Sequence, residues 1–201
     1  VRRDSGHPLL AATLDLAMAP LAKLRPPVVR AARGRVLELG VGTGANLAHY
    51  DEDTDLVGIE PDPHMLRRAR RRADELGRAV ELVQAGAEEL PFPEASFDAA
   101  VVTWVFCTIP APEAAIRELR RVLRPGATVH YVEHVASPIS IVRGLQGLLD
   151  PAWALVAGGC RLTREPTQML RSAGFSITDE RHHGADWSPF PLRSGTAQRA
   201  D

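Results

Sequence analysis

From Arg35 onward, short apolar runs alternate with segments of helical periodicity, the rhythm of a parallel sheet whose strands are joined by crossover helices. RVLEL, DLVGIE at 55–60, VELVQA, FDAAVVTWV and TVHYVEHV are the first five expected strands, and FDAAVVTWV is nearly all apolar, as a central strand must be. SITDERHH and a segment near Gly195 to Arg199 are the last two. Asp62 and Pro63 supply an N-cap and a first helical residue for a helix whose His64, Met65, Leu66, Ala69, Ala73 and Leu76 face inward. Pro112 opens another, with Ile116, Leu119, Val122 and Leu123 inward, and RPG at 124–126 stops it. Thr163 is expected to cap a helix running to Ser172. Between Ala136 and Arg161 irregular Pro, Gly and Trp break the rhythm, marking an insertion above the sheet at about 136–162. Ahead of the first strand, Leu10, Leu14, Ala17, Leu21 and Leu24 form one helical stripe that Pro20 should kink or split. This arm, residues 1–34, either covers a pocket or packs on the sheet; residues 35–201 form the one expected domain.

Bulk properties exclude more than they propose. A formal net charge of −1 attracts neither nucleic acid nor an anionic membrane globally. The run RRARRR at 67–72 has no interleaved aromatics and reads as the solvated side of its helix. Two cysteines, Cys107 and Cys160, far apart in sequence, indicate no disulfide framework and no metal site. The first 22 residues have the arginines and apolar stretch of a secretory signal, but Asp15 interrupts the apolar part. No segment is long and apolar enough to span a bilayer, so a soluble cytoplasmic protein is expected.

The stretch VLELGVGTGAN, Val36 to Asn46, then asks for a ligand. Gly40, Gly42 and Ala45 fit the G-x-G-x-x-G/A loop that receives a dinucleotide. Glu38, Gly40, Gly42 and Gly44 fit the E-x-G-x-G-x-G loop that receives S-adenosylmethionine (SAM). Glu38 favours the second reading, because a carboxylate two residues ahead of the turn repels a pyrophosphate and attracts a sulfonium or an ammonium. Glu60, at the end of the second strand, suits the ribose hydroxyls of either ligand.

The sequence resembles the class I SAM-dependent methyltransferases. VLELGVGTGAN, VGIEPDP, AGAEELPFPEASFDAAVV and ELRRVLRPGATV follow that family's pattern over about residues 35–135, close to the group that includes the ubiquinone/menaquinone C-methyltransferases. The resemblance implies an α/β fold: a doubly wound, Rossmann-like seven-stranded sheet, mostly parallel, with one antiparallel edge strand. It also implies a cofactor site in which Gly40, Gly42, Gly44 and Asn46 line the methionine part, Glu60 and Pro61 hold the ribose, Met65 lies under the adenine, Ala87 and Glu88 meet its edge, and Thr103 closes the pocket. Where the family has an acid before the alanine, this chain has Gly86, and Glu88 is the expected substitute.

A narrower resemblance is carried by VVTWVFCTI, YVEHVASP, QGLLDPAWALVAGGCRLTRE and the helix ending in AGF, which look like the methyltransferase-like protein 7 family of alkyl-thiol S-methyltransferases. That family's hydrophobic membrane anchor is not found in the chain, so its location is not expected to transfer. The implied acceptor is a thiol, and a thiolate is nucleophilic enough that alignment does most of the work. His134 is the candidate general base, or a histidine bonded to loop backbone. Trp104, Phe106 and Trp153 either wall the acceptor pocket or belong to the core. Arg161 and Arg164 either hold an acidic group or pair with Glu165 and Asp150. His182 and His183, adjacent on a strand, point to opposite faces and make no metal site. The alternatives are O- or C-methylation of a quinone- or polyketide-like compound, a SAM-binding protein that does not methylate, and a nicotinamide oxidoreductase.

Overall fold

The computed structural model describes residues 8–200. The first seven residues of the signal-like start, Asp201, and the side chains of Leu10 and Leu14 lie outside the described residues. Seven strands form one sheet: β1 (Arg35–Leu39), β2 (Asp55–Ile59), β3 (Glu81–Val83), β4 (Phe97–Thr103), β5 (Leu123–His134), β6 (Phe175–His183) and β7 (Leu192–Arg199), in the order β3-β2-β1-β4-β5-β7-β6. The first five run parallel, whereas β7 runs antiparallel to both β5 and β6. Chain direction across the sheet reverses between β1 and β4. A ligand crevice is therefore expected above their C-terminal ends.

Alternation along the strands divides the core. Leu37 and Leu39 pack with Ala100, Val102, Val129 and Tyr131 against α4 (Pro112–Val122) and α6 (Pro166–Ser172). Val36, Ala99, Val101 and Val132 face α2 (Arg25–Val29) and α3 (Pro63–Leu76) instead. The sheet is thus covered on both sides by the helices that the crossovers require. Helix α3 starts as its sequence dictates, the Asp62 carboxylate accepting from the amides of His64 at 2.7 Å and Met65 at 3.2 Å. Leu66, Ala69 and Ala73 are buried and His64 and Met65 half-buried; Leu76 departs from the expected face at 47 % exposure, because Gly77 turns the chain away at φ +61°.

Two expected boundaries move. Helix α6 begins at Pro166 without a side-chain cap, and Thr163 is exposed, because proline occupies the first helical position three residues later than that cap. Helix α4 passes directly into β5 at Leu123, so Arg124 to Gly126 belong to the strand. In the arm, Pro20 splits α1 (Pro8–Met18) from a 3₁₀ turn (Ala19–Leu24) as expected. Ala17 is exposed, however, and Leu21 and Leu24 only half-buried. The arm is held chiefly by Val28 and Val29 in the core and by Asp15, which accepts from the Thr43 hydroxyl and, at 2.6 Å, from Arg72.

The insertion contains a helix, α5 (Ser140–Val156), with an inverted face. Its two buried side chains are polar: Gln146 bonds the Ser137 amide and the Pro189 carbonyl, and Asp150 the Leu162 amide. Ile141, Leu148 and Leu155 are each more than three-quarters exposed.

Glycine requirements separate cleanly by position. A Cβ at Gly195 would sit 2.2 Å from the Asp179 carbonyl oxygen and 2.8 Å from the Tyr131 hydroxyl, where β6 is irregular against β7. Gly195→Ala is expected to cost about 2–3 kcal/mol, lowering the melting temperature by roughly 5–10 °C. Gly147→Ala, on the open side of α5 with nothing within 4 Å, is expected to raise stability by about 0.5–1 kcal/mol. Paired thermal melts check both signs.

Candidate functional site

The candidate site lies over the C-terminal ends of β1, β2, β4 and β5. Register puts Glu38 beside Val101, and Thr103 one pleat further along beside Val132; His134 follows on the same face of β5. With strands spaced ~4.8 Å apart and ~3.3 Å per residue, Thr103 and His134 are about 8 Å apart at the backbone. Helix α2 covers this face.

Glu38 is only 2 % exposed. Its Oε1 accepts from Asn46 Nδ2 at 2.9 Å, the same Nδ2 reaches Thr103 Oγ1 at 3.1 Å, and the buried Tyr50 hydroxyl lies against the carboxylate. Burial pushes the carboxyl up to about 7, although Tyr50, Asn46 and Arg25 pull the other way. Above the network sits Arg25, whose Nη1 donates to Asn46 Oδ1 at 2.9 Å and Thr103 Oγ1 at 3.1 Å. Its guanidinium stacks 4.6 Å from the centre of the Trp104 ring.

Gly40, Gly42 and Gly44 all take positive φ, from +56° to +83°. A Cβ on Gly44 would meet Leu47 at 2.9 Å and the Ala69 backbone at 3.1 Å, so that glycine serves the packing of the loop on α3. A Cβ on Gly42 would meet nothing within 4 Å, so that side of the loop is open. The Gly42 amide donates to Glu60 Oε2 at 3.0 Å, and the Asp62 amide to Glu60 Oε1 at 2.9 Å. Burial pushes Glu60 up to about 7, while those amides pull it down. A carboxylate accepts about four hydrogen bonds, so two lone pairs remain for a ribose diol.

The remaining cofactor candidates surround this turn. Pro61 is exposed, Met65 and Glu88 are half-buried, and Ala87 is buried beyond β3. Glu88 Oε2 lies 3.1 Å from the position a Cβ on Gly86 would take, which is where the expected acid side chain would begin. The residues present thus fit SAM: a carboxylate for the ammonium, an open glycine, an acid at the ribose position and another at the adenine edge.

On the acceptor side the structure sorts the candidates. His134 is 5 % exposed, with Nε2 3.4 Å from the Pro189 carbonyl and its ring 5.9 Å from that of Phe190. Trp153 stacks on the other side of Phe190 at 4.7 Å. Burial holds the imidazole below its ordinary value despite the nearby carbonyls of Pro189 and Arg161, which favours its neutral form. Phe190, which the sequence did not single out, joins Trp153 and His134 into an apolar wall. Trp104 holds φ +56°, a strained value for a tryptophan, and its buried Nε1 has no hydrogen bond.

One expectation is corrected. Phe106 is completely enclosed in the core beneath α4, so its ring is unavailable to an acceptor. Arg161 Nη1 pairs with Asp150 at 2.8 Å, one of the two alternatives the sequence left open, and Arg164 donates to the Phe106 and Ile109 carbonyls. Glu133 was missed. It is fully buried and accepts from three successive amides, Val105 at 2.8 Å and Phe106 and Cys107 at 3.2 Å, fixing the turn after β4. Its only sequence signal was an acid at the end of a hydrophobic strand.

Cys107 and Cys160 are free, but the turn held by Glu133 sets Cys107 beside Cys160, and that contact lowers the Cys160 thiol while raising that of Cys107. His183 bonds Ser194 while His182 faces Glu180, and among the described residues no cluster of metal-ligating side chains is found. No helix among them is long and apolar enough to cross a membrane. A cavity of about 450 Å³, lined by Glu94, Arg117, Arg120 and Arg199, lies at the opposite end of the strands.

Comparison with known proteins gives the chain's relatives. Residues 37–131 match the family model described as "Methyltransferase domain". The chain is 37 % identical over 153 residues to the thiol S-methyltransferase TMT1A of Homo sapiens, covering 73 % of this chain and 62 % of that protein. It is 42 % identical over 110 residues to a phosphatidylethanolamine N-methyltransferase of Cereibacter sphaeroides, covering 54 % of each. The chain therefore spans between about half and two thirds of the length of the curated relatives it matches. Among solved structures, the [4+2]-cyclase SpnF superimposes with a TM-score of 0.71 at 24 % identity, covering 92 % of this chain and 82 % of that one, a likeness of fold.

Glu38 carries a signed consequence. An acid whose folded value is raised stabilises most below its unfolded value, near 4.5, and loses that contribution as pH rises through about 7. His130, pushed down to about 4 by burial, acts in the opposite direction, so the test is a difference. Between pH 5 and 8, Glu38→Gln should gain on the parent by on the order of 2 kcal/mol, read as converging or crossing denaturation midpoints.

Proposed function

We propose, from the methyltransferase-domain match over residues 37–131 and the identity to the thiol S-methyltransferases, that this class I SAM-dependent methyltransferase transfers the cofactor's methyl group to a small-molecule thiol. The single observation that carries the cofactor reading is the buried Glu38 carboxylate immediately under the open glycine turn. When bound, SAM supplies a methyl carbon activated by a positive sulfonium, which a nucleophile displaces in line. Glu38 would hold the ammonium of the amino-acid end, Gly42 would let the backbone approach, and Glu60 would accept from the ribose hydroxyls.

The thiol reading is supported by identity to the TMT1 relatives that extends beyond the methyltransferase domain match, over 72 % of this chain for human TMT1B and 73 % for TMT1A. The chemistry agrees with the residues at hand. A thiol of pKa near 8.5 is already partly ionised at neutral pH, so a site offering one neutral imidazole and apolar walls suffices. His134 takes the thiol proton, and Trp153 and Phe190 exclude water from the developing thioether. Methylation of oxygen, nitrogen or carbon remains the second reading, favoured by the phosphatidylethanolamine N-methyltransferase and demethylmenaquinone methyltransferase relatives.

Incubation with methyl-labelled SAM and a panel of thiols, phenols and amines separates these. Label is expected on sulfur, with a rate that rises with pH as the thiol ionises. His134→Ala should slow thiol methylation by about 10- to 100-fold; a phenol methylation, which leans harder on its base, should be nearly abolished by the same change. Label found only on oxygen, nitrogen or carbon overturns the thiol reading.

A further inference from the structure

The cofactor's amino-acid end is a zwitterion, and Glu38 answers only its ammonium. The structure assigns the carboxylate to Arg25, a residue of the arm outside the methyltransferase signature. This inference rests on the reading of the site as a SAM site.

Arg25 and Glu38 face the same space without forming a direct ion pair. Asn46 stands between them, its Oδ1 accepting from Arg25 Nη1 at 2.9 Å and its Nδ2 donating to Glu38 Oε1 at 2.9 Å. One amide thus holds a cation and an anion a side chain apart, in the order that the two charged groups of an α-amino acid require. Both protein–amide bonds are carried by single atoms. Nη1 also takes Thr103, and among the described residues no hydrogen bond occupies Nη2 or Nε, so the guanidinium retains donors for a bidentate carboxylate. Stacking on Trp104 at 4.6 Å fixes the plane of those donors. The unusual backbone of Trp104 has a use here, since its φ of +56° turns the ring under the guanidinium.

A purely structural Arg25, present only to neutralise buried Glu38, would not distinguish ligands by their amino-acid part. The test therefore compares S-adenosylhomocysteine, which carries the zwitterion, with 5′-methylthioadenosine, which lacks it. Calorimetric titrations are made on the parent, Arg25→Gln and Arg25→Lys, each checked by thermal melting. Arg25→Gln is expected to weaken S-adenosylhomocysteine binding by about 10- to 100-fold while methylthioadenosine changes by less than about twofold. Arg25→Lys, which keeps the charge but not the fork, should recover part of the loss. Equal weakening of both ligands, or S-adenosylhomocysteine binding within about twofold of the parent in Arg25→Gln, overturns the assignment. Failure of the parent to bind either nucleoside overturns the SAM reading itself.

Discussion

The architecture of the site depends on burying a carboxylate at the end of a parallel strand. An isolated ionised carboxylate out of water is costly, so Glu38 is tolerated only because Asn46, Tyr50 and, through Asn46, Arg25 are gathered around it. Those partners come from the loop after β1 and from the arm. Satisfying one charge thus sets the course of the chain on both sides of the first strand. The same device recurs along this edge of the sheet. Glu60 at the end of β2 binds the Gly42 amide of the β1 loop, and Glu133 near the end of β5 binds three amides of the turn after β4. Glu60 and Glu133 each clamp the loop that follows another strand.

Functional consequences follow from which carboxylates retain capacity. Glu133 meets three backbone donors and is used up as a fastening. Glu60 keeps room for further donors, and Glu38 lies buried beneath the loop in which the Cβ side of Gly42 is open. A ligand with positive charge beside a nucleoside matches that order; a diphosphate would meet an acid where it needs amides. Under the proposed thiol reading, the buried His134 imidazole and the Phe190 and Trp153 rings would serve a nucleophile that ionises without much help.

Much of this was legible from local pattern. The strand-loop alternation, the Asp62 cap with its proline, and the glycine turn with its preceding acid are short-range signals, and each reappears in the structure. What escaped depends on contacts between distant segments. Glu133 gains its role from amides some 26 to 28 positions away, and Arg25 from Asn46 and Thr103 across 21 and 78 positions. Phe106 looked like a pocket wall because an aromatic after a central strand reads alike in either role; the Glu133 clamp turns it into the core. Helix α5 went unread, because Gly144, Gly147 and Pro151 break its pattern and its buried side chains are the polar Gln146 and Asp150.

The most direct measurement is competitive calorimetry of the unmodified protein with S-adenosylhomocysteine and with NAD. Saturable, stoichiometric binding of S-adenosylhomocysteine that NAD neither mimics nor displaces is the predicted result. Binding of NAD in its place would contradict the selection of a positively charged cofactor by the buried acid.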